Sequence, residues 1–391
     1  MRTWTFEEWP LREQPDGLLA ELYAVRGDLH AESAPDDPRM PLAGEIASAR
    51  HPAPDEDGIV LVARDPGGAI QGYASCGWLY LPGWDHVLQT HIAVLPGARR
   101  QGLALMLLER AAALAQRRGL RLVTGRTKDD VPAGAAFCAA MQAEKAMVTD
   151  ENRLDLRGID RALVDRWLAD GPRRAPAYRL LYVAGPTPHE LAEEAAAVLN
   201  VMNTAPREGL DVGDTRITPE WLSQNDEATS AVGAQRRAYY AVEEKSGRFV
   251  GLTDITVRPE LPDRVWVGDT AVDPAHRGQG LGKWLKAAIT RHVLDDLPEV
   301  RWVITWNAGS NEPMLAINRD LGFRAVAVYT TWQLPVDELQ ALLGARQDGA
   351  AGSPSLEPTG TVPRTDRHSA ENRPAQCREP TSTVLERGQA D

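Results

Sequence analysis

Apolar and polar positions along this chain follow two periods, and the change from one to the other comes twice with the same punctuation. Val265, Val267 and Val272 mark an extended run, Pro274 ends it, and Leu281, Trp284, Leu285, Ala288 and Ile289 then return at helical spacing. The pattern predicts a strand, a sharp turn and a helix. A further extended run over 300–306 ends in Asn307, and a short amphipathic helix through Asn311, Met314, Asn318 and Leu321 closes on Gly322-Phe323. Earlier in the chain, an extended run over 91–94 meets Pro96. A helix follows with Leu103, Met106, Leu107, Ala111 and Leu114 on one face, then a strand over 120–124. A helix over 135–146 comes next, without the Gly-Phe ending of its later counterpart, so the first unit reads as degenerate.

Further strands and helices precede each unit. In the first, Leu18, Leu19, Leu22 and Val25 form a helical stripe that 35–41 breaks, and strands over 59–63 and 69–78 flank an Asp65-Pro66-Gly67-Gly68 hairpin turn. In the second, a strand over 178–183 precedes a helix through Leu191, Ala195, Val198 and Met202. Thr218 then caps a helix with Pro219 at its first position, and strands over 238–243 and 249–257 follow. The expected fold is mixed α/β, with two tandem units over 1–157 and 177–340, each a twisted, mainly antiparallel sheet flanked by helices. A linker over 158–176, holding a small helix and Gly171-Pro172, joins them. Residues 345–391 contain no Ile, Phe, Met, Trp or Tyr and five prolines, which predicts a disordered tail.

Composition narrows the function. A chain of 391 residues with 43% apolar content can bury two cores. No run of ~18 apolar residues predicts a membrane span, and the N-terminus lacks the apolar core of a signal peptide. Cys76, Cys138 and Cys377 form no disulfide framework, and none of the eight histidines shows ligand spacing. The expectation is a reducing, cytoplasmic setting without a metal. A net charge of −12 argues against nucleic acid and is compatible with a cationic amine substrate. The sequence sets no oligomeric state.

The turn of the second unit reads Arg277-Gly278-Gln279-Gly280-Leu281-Gly282, and the first repeats it as Arg99-Arg100-Gln101-Gly102-Leu103-Ala104. Glycines let backbone N–H groups converge at a helix N-terminus, where orphan donors and the positive dipole end attract an anion such as pyrophosphate. With their repetition and the Asn-ended strand and Leu-Gly-Phe helix downstream, these stretches resemble the acetyl-coenzyme A motif of the GNAT superfamily of N-acetyltransferases, Gln/Arg-x-x-Gly-x-Gly/Ala. The second satisfies it fully and the first with the permitted Ala. The resemblance covers about residues 1–340.

That resemblance implies transfer of an acetyl group from acetyl-CoA to an amine. The strands over 265–272 and 300–307 would splay, with the pantetheine arm lying between them. A backbone N–H near Ala271 or Val272 would meet the thioester carbonyl and stabilise its oxyanion. The pyrophosphate would rest on the amides of Gly278, Gln279, Gly280, Leu281 and Gly282 beside Arg277. Asn307 and Asn311 would hold pantetheine amides, or Asn311 would only cap the helix behind Pro313.

Asp269 is the candidate base that strips the amine, or else a strand-end carboxylate bonded to nearby amides. His91 aligns with it in the first unit. Asn318 stands where many relatives carry a Tyr acid, leaving Tyr239, Tyr240 or Tyr329 to substitute. Arg99 and Arg100 form a second phosphate site or a solvated turn. The leading expectation is a small-molecule N-acetyltransferase with the C-terminal unit active and the N-terminal one structural. The alternatives are an acyltransferase on a protein or peptide amine, and a CoA-binding module without turnover.

Overall fold

Both strand–turn–helix units form in the computed structural model, which describes residues 3–351. The first repeat runs β1 (Thr5–Pro10), α1 (Asp16–Ser33), α2 (Leu42–Arg50), β2 (Glu56–Arg64), β3 (Ile70–Leu79), β4 (Val87–Val94), α3 (Leu103–Arg117), β5 (Leu122–Lys128), α4 (Pro132–Ala140) and β6 (Glu144–Asp155). Helix α5 (Arg161–Arg174) follows. The second repeat runs β7 (Tyr178–Ala184), α6 (Ala192–Leu199), α7 (Pro219–Ala231), β8 (Gln235–Glu243), β9 (Phe249–Val257), β10 (Arg264–Val272), α8 (Leu281–Asp296), β11 (Trp302–Ala308), α9 (Glu312–Leu321) and β12 (Arg324–Pro335), and α10 (Val336–Ala351) ends it. Thr218 caps α7 as expected, its side chain accepting from the Trp221 N–H.

The two repeats share one sheet. Its order is β1-β2-β3-β4-β5-β12-β6-β11-β10-β9-β8-β7. The closing strands are exchanged: β6 of the first repeat lies against β11 of the second, from Trp302 opposite Asp155 to Ala308 opposite Thr149. Strand β12 of the second repeat lies between β5 and β6. Two separate sheets would each leave a row of unpaired N–H and C=O groups at an inner edge, and the exchange fills both rows. The cores follow suit. Leu334 of β12 and Val336, Leu339 and Leu343 of α10 pack with Leu88, Leu107 and Ala111 of the first repeat. Leu154, Leu156 and Val164 pack with Ala287, Ile289 and Val293 of α8.

Three expectations change in detail. The 158–176 stretch is mostly helix: α5 continues through Pro172, and Gly171 gives the Trp284 indole of α8 a place to pack where a β-carbon would collide. The helix expected over 135–146 ends at Ala140, and 144 onward is strand. Gln142 takes the left-handed turn (φ 59°) that Gly322 supplies after α9, so the stop survives without the glycine. At the other end, α10 carries the chain to Ala351. The rest of the tail expected over 345–391 lies outside the described residues.

The sheet is open at one place in each repeat. Strands β10 and β11 pair in parallel only from Arg264–Trp266 to Trp302–Ile304, and then part. In the first repeat β4 and β5 pair through Thr90 and Gly125 before parting. We predict that residues 177–351, expressed alone, give no cooperative urea transition because β11 has lost β6. Co-expression with residues 1–176 should restore it. A cooperative transition in the isolated fragment would show that β6 is dispensable.

Candidate active site

The gap between β10 and β11 opens beside the second glycine turn. Gly278 (φ 81°) and Gly280 (φ 84°) both take left-handed conformations there, and a β-carbon on Gly278 would meet nothing, so the space over the turn is free. The turn is braced from behind. The Tyr178 hydroxyl bonds both Gln279 Nε2 and His276 Nδ1 at 2.9 Å. Arg277 donates to the Val272 carbonyl at 2.9 Å and to Thr204 Oγ1 at 2.8 Å. The Gln279 side chain is thereby engaged within the fold. The Asp273 N–H donates to the Val250 carbonyl on β9. With a period of two along a strand, the Val272 N–H then faces the gap and that of Ala271 does not.

Asp269 owes its position to a fault in the ladder. The β9–β10 register slips between Val267 and Thr270, a β-bulge that turns the intervening residues out of the regular alternation. The Asp269 N–H donates to Asp254 Oδ1 at 2.7 Å, and Asp254 Oδ2 pairs with Arg236 Nε at 2.5 Å. Arg236 also donates to the Tyr240 hydroxyl at 3.0 Å. Burial and then the Asp254 carboxylate push the Asp269 pKa up to about 7, against the pull of Arg236. Lys286 on α8 is fully buried near this cluster. Desolvation brings its pKa down to about 8, opposed by Asp254.

Other expected residues have definite places. Asn307, on β11, accepts through Oδ1 from Asn318 Nδ2 at 2.8 Å, while Asn318 Oδ1 is buried without a partner. Asn311 precedes α9, but its side chain makes no capping bond, so the capping reading is not realised. The tyrosines are engaged elsewhere. Tyr240 is buried and bonded to Arg236, and Tyr239 packs on Tyr182 and His292. The Tyr329 hydroxyl donates to Glu151 at 3.2 Å, and burial first, then Glu151, push its pKa to about 12.

The first repeat departs from this geometry. His91 pairs with Ser75 in a ladder without a slip, so it does not occupy the bulge that Asp269 does. Burial and then the Arg26 charge lower its pKa. Arg100 (φ 61°) holds the left-handed position that glycine holds at 278, and Arg99 is paired through both terminal nitrogens with Glu32.

Two residues near the site were not legible in the sequence. Arg174, at the end of α5, lies 3.7 Å through Nε from where a Gly280 β-carbon would sit. Its position in an apparent linker hid it. Asp254 is the one charged residue of β9, between Thr253 and Ile255, and that break in an otherwise uncharged strand was the available signal.

Comparison with known proteins agrees with this architecture. The model described as Acetyltransferase (GNAT) family matches residues 203–323, and that described as Acetyltransferase (GNAT) domain matches 56–140. Over 258 residues the chain is 30% identical to the mycothiol acetyltransferase of Thermobifida fusca (strain YX), covering 59% of this chain and 70% of that protein. A second mycothiol acetyltransferase, from Saccharomonospora viridis, is 36% identical over 94 residues, 22% of this chain and 30% of that one. Among solved structures, a tandem GNAT protein from the clavulanic acid biosynthesis pathway superposes with a TM-score of 0.68 at 26% identity. That match covers 85% of this chain and 99% of the other.

Asp269 carries a pH signature. An unfolded Asp loses its proton near pH 4, whereas the folded one holds it to about 7. Between those values the folded state binds more protons, so this group makes the fold less stable as pH rises through the window. Asp269→Asn should therefore match the parent near pH 4 and exceed its melting temperature increasingly up to pH 7–8. Solvent reaching the part-exposed carboxylate will moderate the gain. An equal difference at pH 4.5 and pH 8 would remove the perturbed carboxyl.

Proposed function

The chain belongs to the GNAT family of N-acetyltransferases as a tandem member, and from that premise we propose that its second repeat transfers an acetyl group from acetyl-CoA to a small-molecule amine. The observation that carries the assignment to the second repeat is the β-bulge at Asp269 beside an open strand edge, without a counterpart at His91. A relative named for mycothiol favours a small-molecule acceptor over a protein one.

The residues fit that co-substrate. Gly278 and Gly280 leave open space over a helix N-terminus, and Arg174 adds a cation at its rim. Asn307 near the end of β11 and Asn311 just before α9 would hold pantetheine amides. Acetyl-CoA brings the activated acyl group. The Val272 N–H donates to its carbonyl oxygen as charge develops there. An amine reaches the site protonated, and Asp269, with a pKa near working pH, takes the proton before attack. Asn318 does not titrate, and its amide is tied to Asn307. The departing thiolate is a stable anion with pKa near 8.5 and needs less help than an alkoxide.

Thiol release from acetyl-CoA over a panel of small amines tests the assignment. Asp269→Asn should lower turnover by a factor of order 10²–10⁴ with CoA affinity nearly retained, and His91→Asn should change it less than a few-fold. Full activity in the first variant removes Asp269 as base, and collapse in the second moves the site to the first repeat. Calorimetry should find about one CoA per chain, abolished by Gly280→Glu, which sets a carboxylate against phosphate. Two equal sites, or unchanged binding in that variant, would contradict it.

A further inference from the structure

The bulge that carries Asp269 is held from outside its own strand. Asp254 Oδ1 on β9 accepts the Asp269 N–H at 2.7 Å. The same oxygen occupies the space a β-carbon on Gly268 would need, so a glycine is what lets β10 close on it. The other oxygen pairs with Arg236 on β8, which reaches on to the Tyr240 hydroxyl. Side chains thus stitch three strands together where the backbone register slips. Both members of the ion pair are about nine-tenths buried, so the pair is little screened by solvent. In the first repeat Ser75 faces His91 with no slip to hold.

We infer that Asp254 is a positioning residue for acetyl transfer: it pins the bulge that aims Asp269 at the gap, and its charge sets how readily Asp269 takes the proton of the amine. This rests on the reading of Asp269 as base. The charged and titratable groups around the pair are Arg236 and Tyr240 on β8, Asp226 on α7 and Lys286 on α8. A carboxylate beside Asp269 favours retention of a proton, and Arg236 favours its loss. An amide in place of Asp254 keeps an oxygen for the Asp269 N–H but leaves the Arg236 cation as the nearest charge.

The test needs no acceptor. In the full chain with ¹³C-carboxyl aspartate, the Asp269 resonance is assigned by its loss in Asp269→Asn and then titrated. Asp254→Asn should move its midpoint down by about one pH unit or more. An unmoved midpoint overturns the electrostatic role. Gly268→Ala displaces the Asp254 carboxylate without changing any charge, and covers the case in which Asp254→Asn does not fold. It should lower hydrogen-exchange protection of the Asp269 amide roughly tenfold or more. Unchanged protection overturns the pin. Failure of the base reading shows separately, as full thiol release by Asp269→Asn while these two results stand.

Discussion

A sheet with a gap in it must be held on the far side of the gap, and here that support is the exchange of closing strands. Beyond Ile304, strand β11 has no parallel partner in β10, so its backbone order there comes from β6 alone. Strand β6 belongs to the other repeat, and β12 makes the reciprocal contribution by pairing with β5. Each opening is therefore framed by a strand of the opposite half. Residues such as Asn307 are held by this arrangement, since Asn307 lies directly opposite Asp150 of β6. The first repeat has structural work to do whether or not it turns over substrate.

Near-symmetry of the backbone makes the differences in chemistry readable. Both repeats have the left-handed turn before the long helix, and both have strands that part. The second has a slipped register at the strand facing the gap, a buried acid–guanidinium pair behind it, and an unobstructed glycine turn. The first has a regular ladder, an arginine in a left-handed conformation that a side chain adopts with some strain, and an Arg99 whose charge is paired with Glu32. On the function proposed above, the second copy holds the anion and manages the proton, and the first keeps the framework.

Much of this was legible from residue order, and the failures have physical causes. Hydrophobic period located the strands and helices, glycine and proline marked the turns, and Thr218-Pro219 signalled a helix start that the structure bears out. A period of two identifies a strand but not its partner, so the exchange of β6 and β12 was invisible. Gly171-Pro172 looked like a break because those residues break isolated helices. In place, the glycine makes room for Trp284 and the helix carries the proline through. Gln142 does the work of a glycine because the surrounding packing sustains its φ of 59°. At the site, the glycine turn and Asp269 stood out by type and spacing. The roles of Asp254 and Arg174 depend on residues brought near them only by folding.

The pairing of β12 with β5 also has a consequence for how the chain is made. Trp332 Nε1 bonds Thr127 Oγ1 across 205 positions of sequence, and Leu339 and Leu343 complete a core begun by residues in the first hundred. During synthesis the first repeat must wait, with an open sheet edge and a core short of its last side chains, until almost the whole chain has left the ribosome. Contacts of that separation make folding slow, and an exposed edge is an invitation to wrong partners. A protein built this way depends on protection during translation more than two consecutive, self-sufficient domains of the same length would.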